Sequence, residues 1–168
     1  KNVSIKYIGI AGRFGWDPVL SRLFDENKEY TLFEAKKFNV DISLVSDHFI
    51  NDNHCVFKRY RALPGVIDSV ELLKQKIIAR DPKRAKYQLN LYRYAHLPAL
   101  MGFLINDTTL ILNVAYWEED HDGQLDLRGG GTDYLVYSKD DNFGGSYYIK
   151  RFLGWSYYIK NNFSNALP

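Results

Sequence analysis

The residues best suited to binding a ligand form one glycine-rich loop in the last third of the chain. Three consecutive glycines allow backbone N–H groups to converge on an anion, and a preceding arginine adds charge-assisted hydrogen bonds. The loop matches neither a P-loop nor a dinucleotide-binding spacing. It predicts a site for a small anionic, phosphate-bearing ligand, with a simple hairpin connection as the alternative. The loop residues are Arg128, Gly129, Gly130, Gly131, Thr132 and Asp133.

Two further sites carry positive charge next to predicted strand ends or aromatic rings. Arg13 lies between two glycines after the first predicted strand, near the crevice where open α/β sheets bind ligands. Arg59 and Arg61 flank Tyr60, an arrangement that suits contacts with phosphates or bases. We expect these arginines to attract or contact the same anion, and a solvated surface is the alternative.

One histidine has a position that suits catalysis. His96 follows a predicted strand and has the chemistry of a general base or a nucleophile. Asp107 and Asp133 are the acidic residues that would assist it in a phosphodiesterase or nuclease. A lone histidine without an identifiable partner is more often structural or a ligand contact. Catalysis therefore stays open, and binding is favoured.

The densest run of potential metal ligands lies between residues 47 and 55. It contains His48, His54 and Cys55 on one loop, and this spacing matches no structural zinc pattern. We expect neither a metal nor another cofactor.

Composition limits the partners and the compartment. A net charge of +2 gives no general attraction to nucleic acid, so such a partner is possible but not favoured. The single Cys55 excludes an intrachain disulfide and favours the reducing cytoplasm. No apolar run approaches the roughly 20 residues that span a bilayer, so we expect no membrane partner. The chain begins at Lys1, and we expect a domain excised from a longer protein.

Hydrophobic periodicity predicts the element order β-α-β-α-β-β-β-β-α. A first helix is expected over residues 18–38, with a break near Asn27, and a polar, irregular segment over residues 46–55. Asp68 and Glu71 have capping-box spacing at the start of the second helix, with Leu72 as part of a hydrophobic staple. The predicted strands are residues 3–7, 40–45, 87–91, 100–105, 110–112 and 134–137.

The early alternation of strands and helices predicts crossover connections. We therefore expect an α/β fold: one domain over residues 1–168, with a single mixed sheet and helices on both faces.

Residues 100–155 have an element order that resembles the second half of one phospholipase D superfamily repeat. Asp107 ends a strand where the family's motif aspartate stands, and Asp133 precedes a strand where the family has an acidic residue. Phe152 and Trp155 match the closing helix of the repeat. The resemblance implies a phospholipase D-like single repeat, and family repeats often pair, so a homodimer is possible.

The catalytic residues of that family are missing from this chain. Its nucleophilic histidine and its lysine would fall at Ala99 and Met101, which can perform neither role. The resemblance therefore implies a degenerate repeat: a non-catalytic ligand-binding or regulatory domain that recognises a small anionic ligand or a protein partner. The alternative is a phosphodiesterase or nuclease that uses a displaced His96.

Overall fold

The computed structural model of the chain describes residues 1–12, 15–57, 64–129 and 134–163. Within these ranges the longer helices are α1 (Asp47–Asp52), α2 (Pro64–Arg80) and α3 (Gly145–Phe163). The strands are β1 (Asn2–Gly9), β2 (Lys37–Val45), β3 (Tyr87–Tyr94), β4 (Met101–Ile105), β5 (Thr109–Asn113), β6 (Tyr116–Glu119), β7 (Leu125–Arg128) and β8 (Leu135–Ser138).

Six strands form one mixed sheet in the order β3-β2-β1-β4-β5-β8. The first three strands are parallel, whereas β4, β5 and β8 join by antiparallel pairing. β4 and β5 are linked by a tight turn in which Asn106 and Asp107 both have positive φ, at 53° and 56°. Asn and Asp tolerate this conformation better than other non-glycine residues. The predicted mixed α/β fold and its six sheet strands are confirmed.

Alternate residues of each strand point to opposite faces of this sheet, and each face is covered. α2 buries Val66, Val70 and Ile77 against one face. α3 buries Ile149, Phe152 and Ile159 against the other face. Helical spacing predicts two buried stripes, Val66, Val70, Leu73 and Ile77 in α2 and Tyr148, Phe152, Trp155 and Ile159 in α3. Both stripes face the sheet, although Leu73, Tyr148 and Trp155 are only partly buried and Ile149 joins the α3 face.

The predicted helix over residues 18–38 is wrong. The chain forms only short helical turns there, at Trp16–Leu20, Ser21–Leu23 and Leu32–Glu34. The Asp25 carboxylate accepts a hydrogen bond from the backbone N–H of Asn27, which gives the backbone a non-helical alternative. The apolar residues of these turns are buried against the sheet. The apolar spacing in this segment therefore reflects contact with the sheet and not one long helix.

Two element boundaries also differ from expectation. The segment predicted to be irregular forms α1, whose first turn is capped by Ser46 Oγ accepting from Phe49 N–H at 3.2 Å. α2 begins at Pro64, so Asp68 lies inside the helix and is not its cap. Proline suits the first helical position because its missing N–H would be unpaired there anyway. Leu72 is 62 % exposed and takes no part in a staple.

A hairpin that the periodicity did not reveal as strands forms a second, two-stranded sheet. β6 pairs with β7 in antiparallel register. In the turn that joins them, the backbone N–H of Gly123 donates a hydrogen bond to the Asp120 carbonyl oxygen. In the described ranges, no helix combines the length and the apolar character needed to cross a bilayer.

Candidate ligand-binding groove

Arg128, the predicted anion contact, is already paired with carboxylates. Its Nε lies 2.7 Å from Oε2 of Glu118 on the opposite strand of the hairpin and 3.8 Å from Oδ2 of Asp126. Asp126 is only 2 % exposed, so its charge is poorly screened by water. An anion that approached Arg128 would meet two negative charges, which weakens the case for an anion site at this position.

Most of the remaining predicted ligand contacts lie outside the described residues. Gly129 ends the described part of the loop after β7. The other predicted contacts fall in the undescribed ranges and stay predictions: Gly130, Gly131, Thr132, Asp133, Arg13, Arg59 and Arg61.

The structure does not bring His96 and Asp107 together. Asp107 lies in the β4–β5 turn, where its carboxylate forms an ion pair of 2.7 Å with Lys6. His96 follows β3 at the opposite edge of the sheet, where β4 begins. At about 3.4 Å per residue, β4 alone separates the two edges by roughly 15 Å. These two side chains therefore cannot act on one bond.

His96 instead lines a groove between the β3–β4 connection and α3. The groove has a volume of about 640 Å³, within the range of small-molecule sites. Its walls are mostly apolar, with one cationic side chain and one imidazole. The lining residues are His96, Leu97, Ala99, Leu100, Arg151, Gly154, Trp155 and Tyr158.

Arg151 supplies the positive charge of this groove. Its guanidinium carbon lies 4.3 Å above the centroid of the Tyr147 ring, one helical turn earlier, which orients the cation without neutralising it. Among the described residues no carboxylate forms an ion pair with Arg151. Arg151 therefore differs from Arg128, whose charge is balanced within the hairpin.

The His96 ring is fixed by its surroundings. Its Nδ1 lies 2.9 Å from the Leu97 carbonyl oxygen, and because a carbonyl only accepts, Nδ1 carries the proton. Its Nε2 is enclosed and finds no hydrogen-bond partner among the described residues. A nucleophile must reach the substrate, so this geometry favours a structural or ligand-contact role. The rings around it are Tyr94, Trp155, Tyr158 and Phe163, at centroid distances of 4.6, 5.2, 5.7 and 5.9 Å.

Gly154 leaves the helix backbone uncovered on the groove side. A Cβ built at this position would meet no heavy atom within 4 Å in the ranges that the structure describes. Glycine inside a helix costs about 0.5–1 kcal/mol relative to alanine, and no close packing in the described structure requires it here. The sequence contained a signal for this face, since Arg151, Gly154, Trp155 and Tyr158 follow helical spacing. Of these four residues, the predicted buried stripe included only Trp155.

A second polar cluster lies beneath α3 and is closed. Asp41 is 5 % exposed, and its Oδ1 accepts a hydrogen bond of 2.8 Å from Asn90 Nδ2. Lys160 of α3 places Nζ 3.9 Å from the other carboxylate oxygen. Burial and the neighbouring Asp41 carboxylate raise the pKa of Tyr92 to about 12. Within the cluster, one oxygen of the Asp41 carboxylate therefore contacts Asn90 and the other faces Lys160.

The potential metal ligands do not assemble. His48 Nδ1 lies 3.1 Å from the Asp52 carboxylate on the exposed side of α1, and Cys55 is an exposed free thiol. No group of three or more His, Cys, Asp or Glu side chains that could hold a metal ion occurs in the part of the chain that the structure describes.

The fold and the groove define a mixed α/β protein with a candidate site for a small ligand. Comparison with protein-family models, with curated proteins and with solved structures found no match to this chain. The phospholipase D-like relationship therefore stays a prediction from the sequence.

Proposed function

We propose that this protein is a non-catalytic binding or regulatory module that holds a small anionic, phosphate-bearing ligand in the groove beside α3. The observation that carries the proposal is Arg151, a cation without a carboxylate partner among the described residues, in a groove of ligand size. A guanidinium donates two parallel hydrogen bonds to a phosphate or carboxylate, which gives both affinity and orientation.

The groove also agrees with a degenerate phospholipase D-like repeat. Ala99, at the position of the family's nucleophilic histidine, lines the groove, and Met101, at the position of its lysine, is buried. A groove that keeps a cation but presents alanine in place of a nucleophile supports binding without bond cleavage.

An enzymatic use of His96 has less support. Its Nε2 is enclosed by aromatic rings, and Asp107 lies at the far edge of the sheet. A protein partner is the other alternative, supported by exposed apolar side chains of the edge strand β8, among them Val136. The protein-partner alternative predicts that phosphate does not bind at Arg151. A phosphodiesterase would bind phosphate in the same groove, which His96 and Arg151 both line, and would differ from our proposal by cleaving a phosphodiester.

The test is a titration of the ¹⁵N-labelled protein with inorganic phosphate, followed by amide chemical shifts. We expect the largest shifts at Arg151, Gly154 and Tyr158, and we expect Arg151→Ala to abolish them. The matched control is Lys150→Ala, which removes one exposed charge from the same helix outside the groove.

Arg128→Ala separates the two candidate anion sites. If phosphate binding is lost in Arg128→Ala and kept in Arg151→Ala, the anion site lies at the glycine-rich loop and the groove proposal is wrong. Absence of any phosphate-dependent shift also contradicts it and favours the protein-interaction alternative.

A further inference from the structure

The groove combines two kinds of recognition chemistry along one helix face. Arg151 supplies a charge, and Trp155 and Tyr158 supply rings one and about two helical turns further on. One turn advances about 5.4 Å, so the cation and the rings are separated by the length of a small ligand rather than by that of a single ion. Tyr158 is 48 % exposed, which leaves part of its ring open to contact.

The apolar residues that line the rest of the groove indicate which other chemical groups such a ligand contains. Leu97, Ala99 and Leu100 form the wall opposite α3 and have no polar side-chain groups. Sugar hydroxyl groups that faced this wall would lose water without finding hydrogen-bond partners, so the hydroxyl groups of a bound ligand must face the open side of the groove. A flat apolar ring loses no hydrogen bonds against the same wall and gains contact with the aromatic side chains.

Gly154 lies between the cation and the rings. Because no side chain of the described residues covers the helix at this point, a planar group can approach the backbone closely. Any other residue would place its Cβ in this space. The glycine therefore widens the groove at the position that links its charged end to its aromatic end.

We propose that the ligand is a nucleoside monophosphate, with its phosphate on Arg151 and its base stacked on the exposed ring of Tyr158. The Trp155 ring lies at 89° to that of Tyr158, so Trp155 makes an edge contact with the base. This inference rests on the proposed function and adds the aromatic half of the ligand to it. Every base has a π-face, so stacking gives affinity with little preference among bases. The wall of Leu97 and Leu100 covers the other side of the base.

The test compares three probes by isothermal titration calorimetry on the full chain: AMP, ribose 5-phosphate and adenosine. Base stacking contributes about 1–3 kcal/mol, so we expect AMP to bind about 5- to 150-fold more tightly than ribose 5-phosphate. Arg151→Ala should weaken AMP and leave adenosine unchanged. Tyr158→Leu should weaken AMP and leave ribose 5-phosphate unchanged.

Tyr157→Leu is the matched control, because Tyr157 is 52 % exposed on the same helix and does not line the groove. Its AMP affinity should equal that of the wild type. Equal, Arg151-dependent affinities for AMP and ribose 5-phosphate would overturn the nucleotide inference and leave the proposed function standing. If neither compound binds and phosphate does not shift the groove amides, both fail.

Discussion

Helix α3 meets two polar clusters that differ in whether the fold itself completes them. Beneath the helix, the buried Asp41 carboxylate accepts a hydrogen bond from Asn90 and forms an ion pair with Lys160. On the open side of the same helix, Arg151 has no carboxylate partner in the described part of the chain. The difference indicates that the closed cluster specifies and stabilises the fold, whereas the open cluster is left for a ligand.

The physical distinction is desolvation. A buried carboxylate loses its water on folding, so its partners must replace those hydrogen bonds or the folded state is penalised. An exposed guanidinium keeps its water until a ligand displaces it, and it costs the unliganded protein little. Mutation of the closed cluster should therefore lower the stability of the fold, whereas mutation of the open cluster should weaken ligand binding.

The largest expected effect is on the closed cluster. Asp41→Ala removes the acceptor of Asn90 Nδ2, and we expect the free energy of unfolding to fall by about 1–3 kcal/mol, since the amide loses a partner while the half-exposed Lys160 stays hydrated. Urea denaturation followed by circular dichroism measures the change. Arg151→Ala, the comparison variant, should stay within about 0.5 kcal/mol of the wild type. Similar losses in both variants would remove the distinction between the clusters.

A smaller effect is expected at high pH. The folded protein holds the pKa of Tyr92 at about 12, above the value of 10 in the unfolded chain, so folding favours the neutral phenol. The stabilisation is complete below pH 10 and is lost as the pH rises from 10 to 12. Because Tyr92 is only half-buried, we expect solvent screening to reduce the loss to about 1 kcal/mol.

Tyr92→Phe supplies the reference for this measurement. The difference in unfolding free energy between the wild type and the variant, taken at pH 9 and near pH 12, isolates the phenol from other groups that titrate in this range. At the higher pH, the wild type should lose stability relative to Tyr92→Phe. A difference that does not change with pH would show that Tyr92 titrates alike in the folded and unfolded states.

The features that depend on local sequence patterns could be predicted, whereas those that depend on contacts between distant parts of the chain could not. Alternation and helical spacing are local, so the six sheet strands and the buried faces of α2 and α3 were predictable. The residues between Pro18 and Phe38 were misassigned because tertiary burial, not helical periodicity, accounts for their apolar side chains.

The candidate site was harder to predict because charge pairing is not local. Three glycines after Arg128 looked like an anion loop, but the neutralising Glu118 lies on the other strand of a hairpin. Arg151 was not among the predicted contacts, because its local sequence does not distinguish it from other surface residues of an amphipathic helix. Only the fold shows that it faces the β3–β4 connection across a groove.

The smallest expected effect concerns the cost of keeping the groove open. Gly154→Ala should raise the free energy of unfolding by about 0.5–1 kcal/mol, because the added methyl group meets no atom of the described residues within 4 Å and restricts the unfolded chain. The same methyl group enters the groove, so AMP affinity should fall while stability rises. Gly65→Ala in α2 is the matched control, since its Cβ also meets nothing within 4 Å in the described part of the chain. A gain in stability at both glycines, with weaker AMP binding only at Gly154, would mean that the open cluster keeps a less stable helix in order to bind, as functional sites often do. Unchanged AMP affinity in Gly154→Ala would mean that the ligand does not approach this part of the helix.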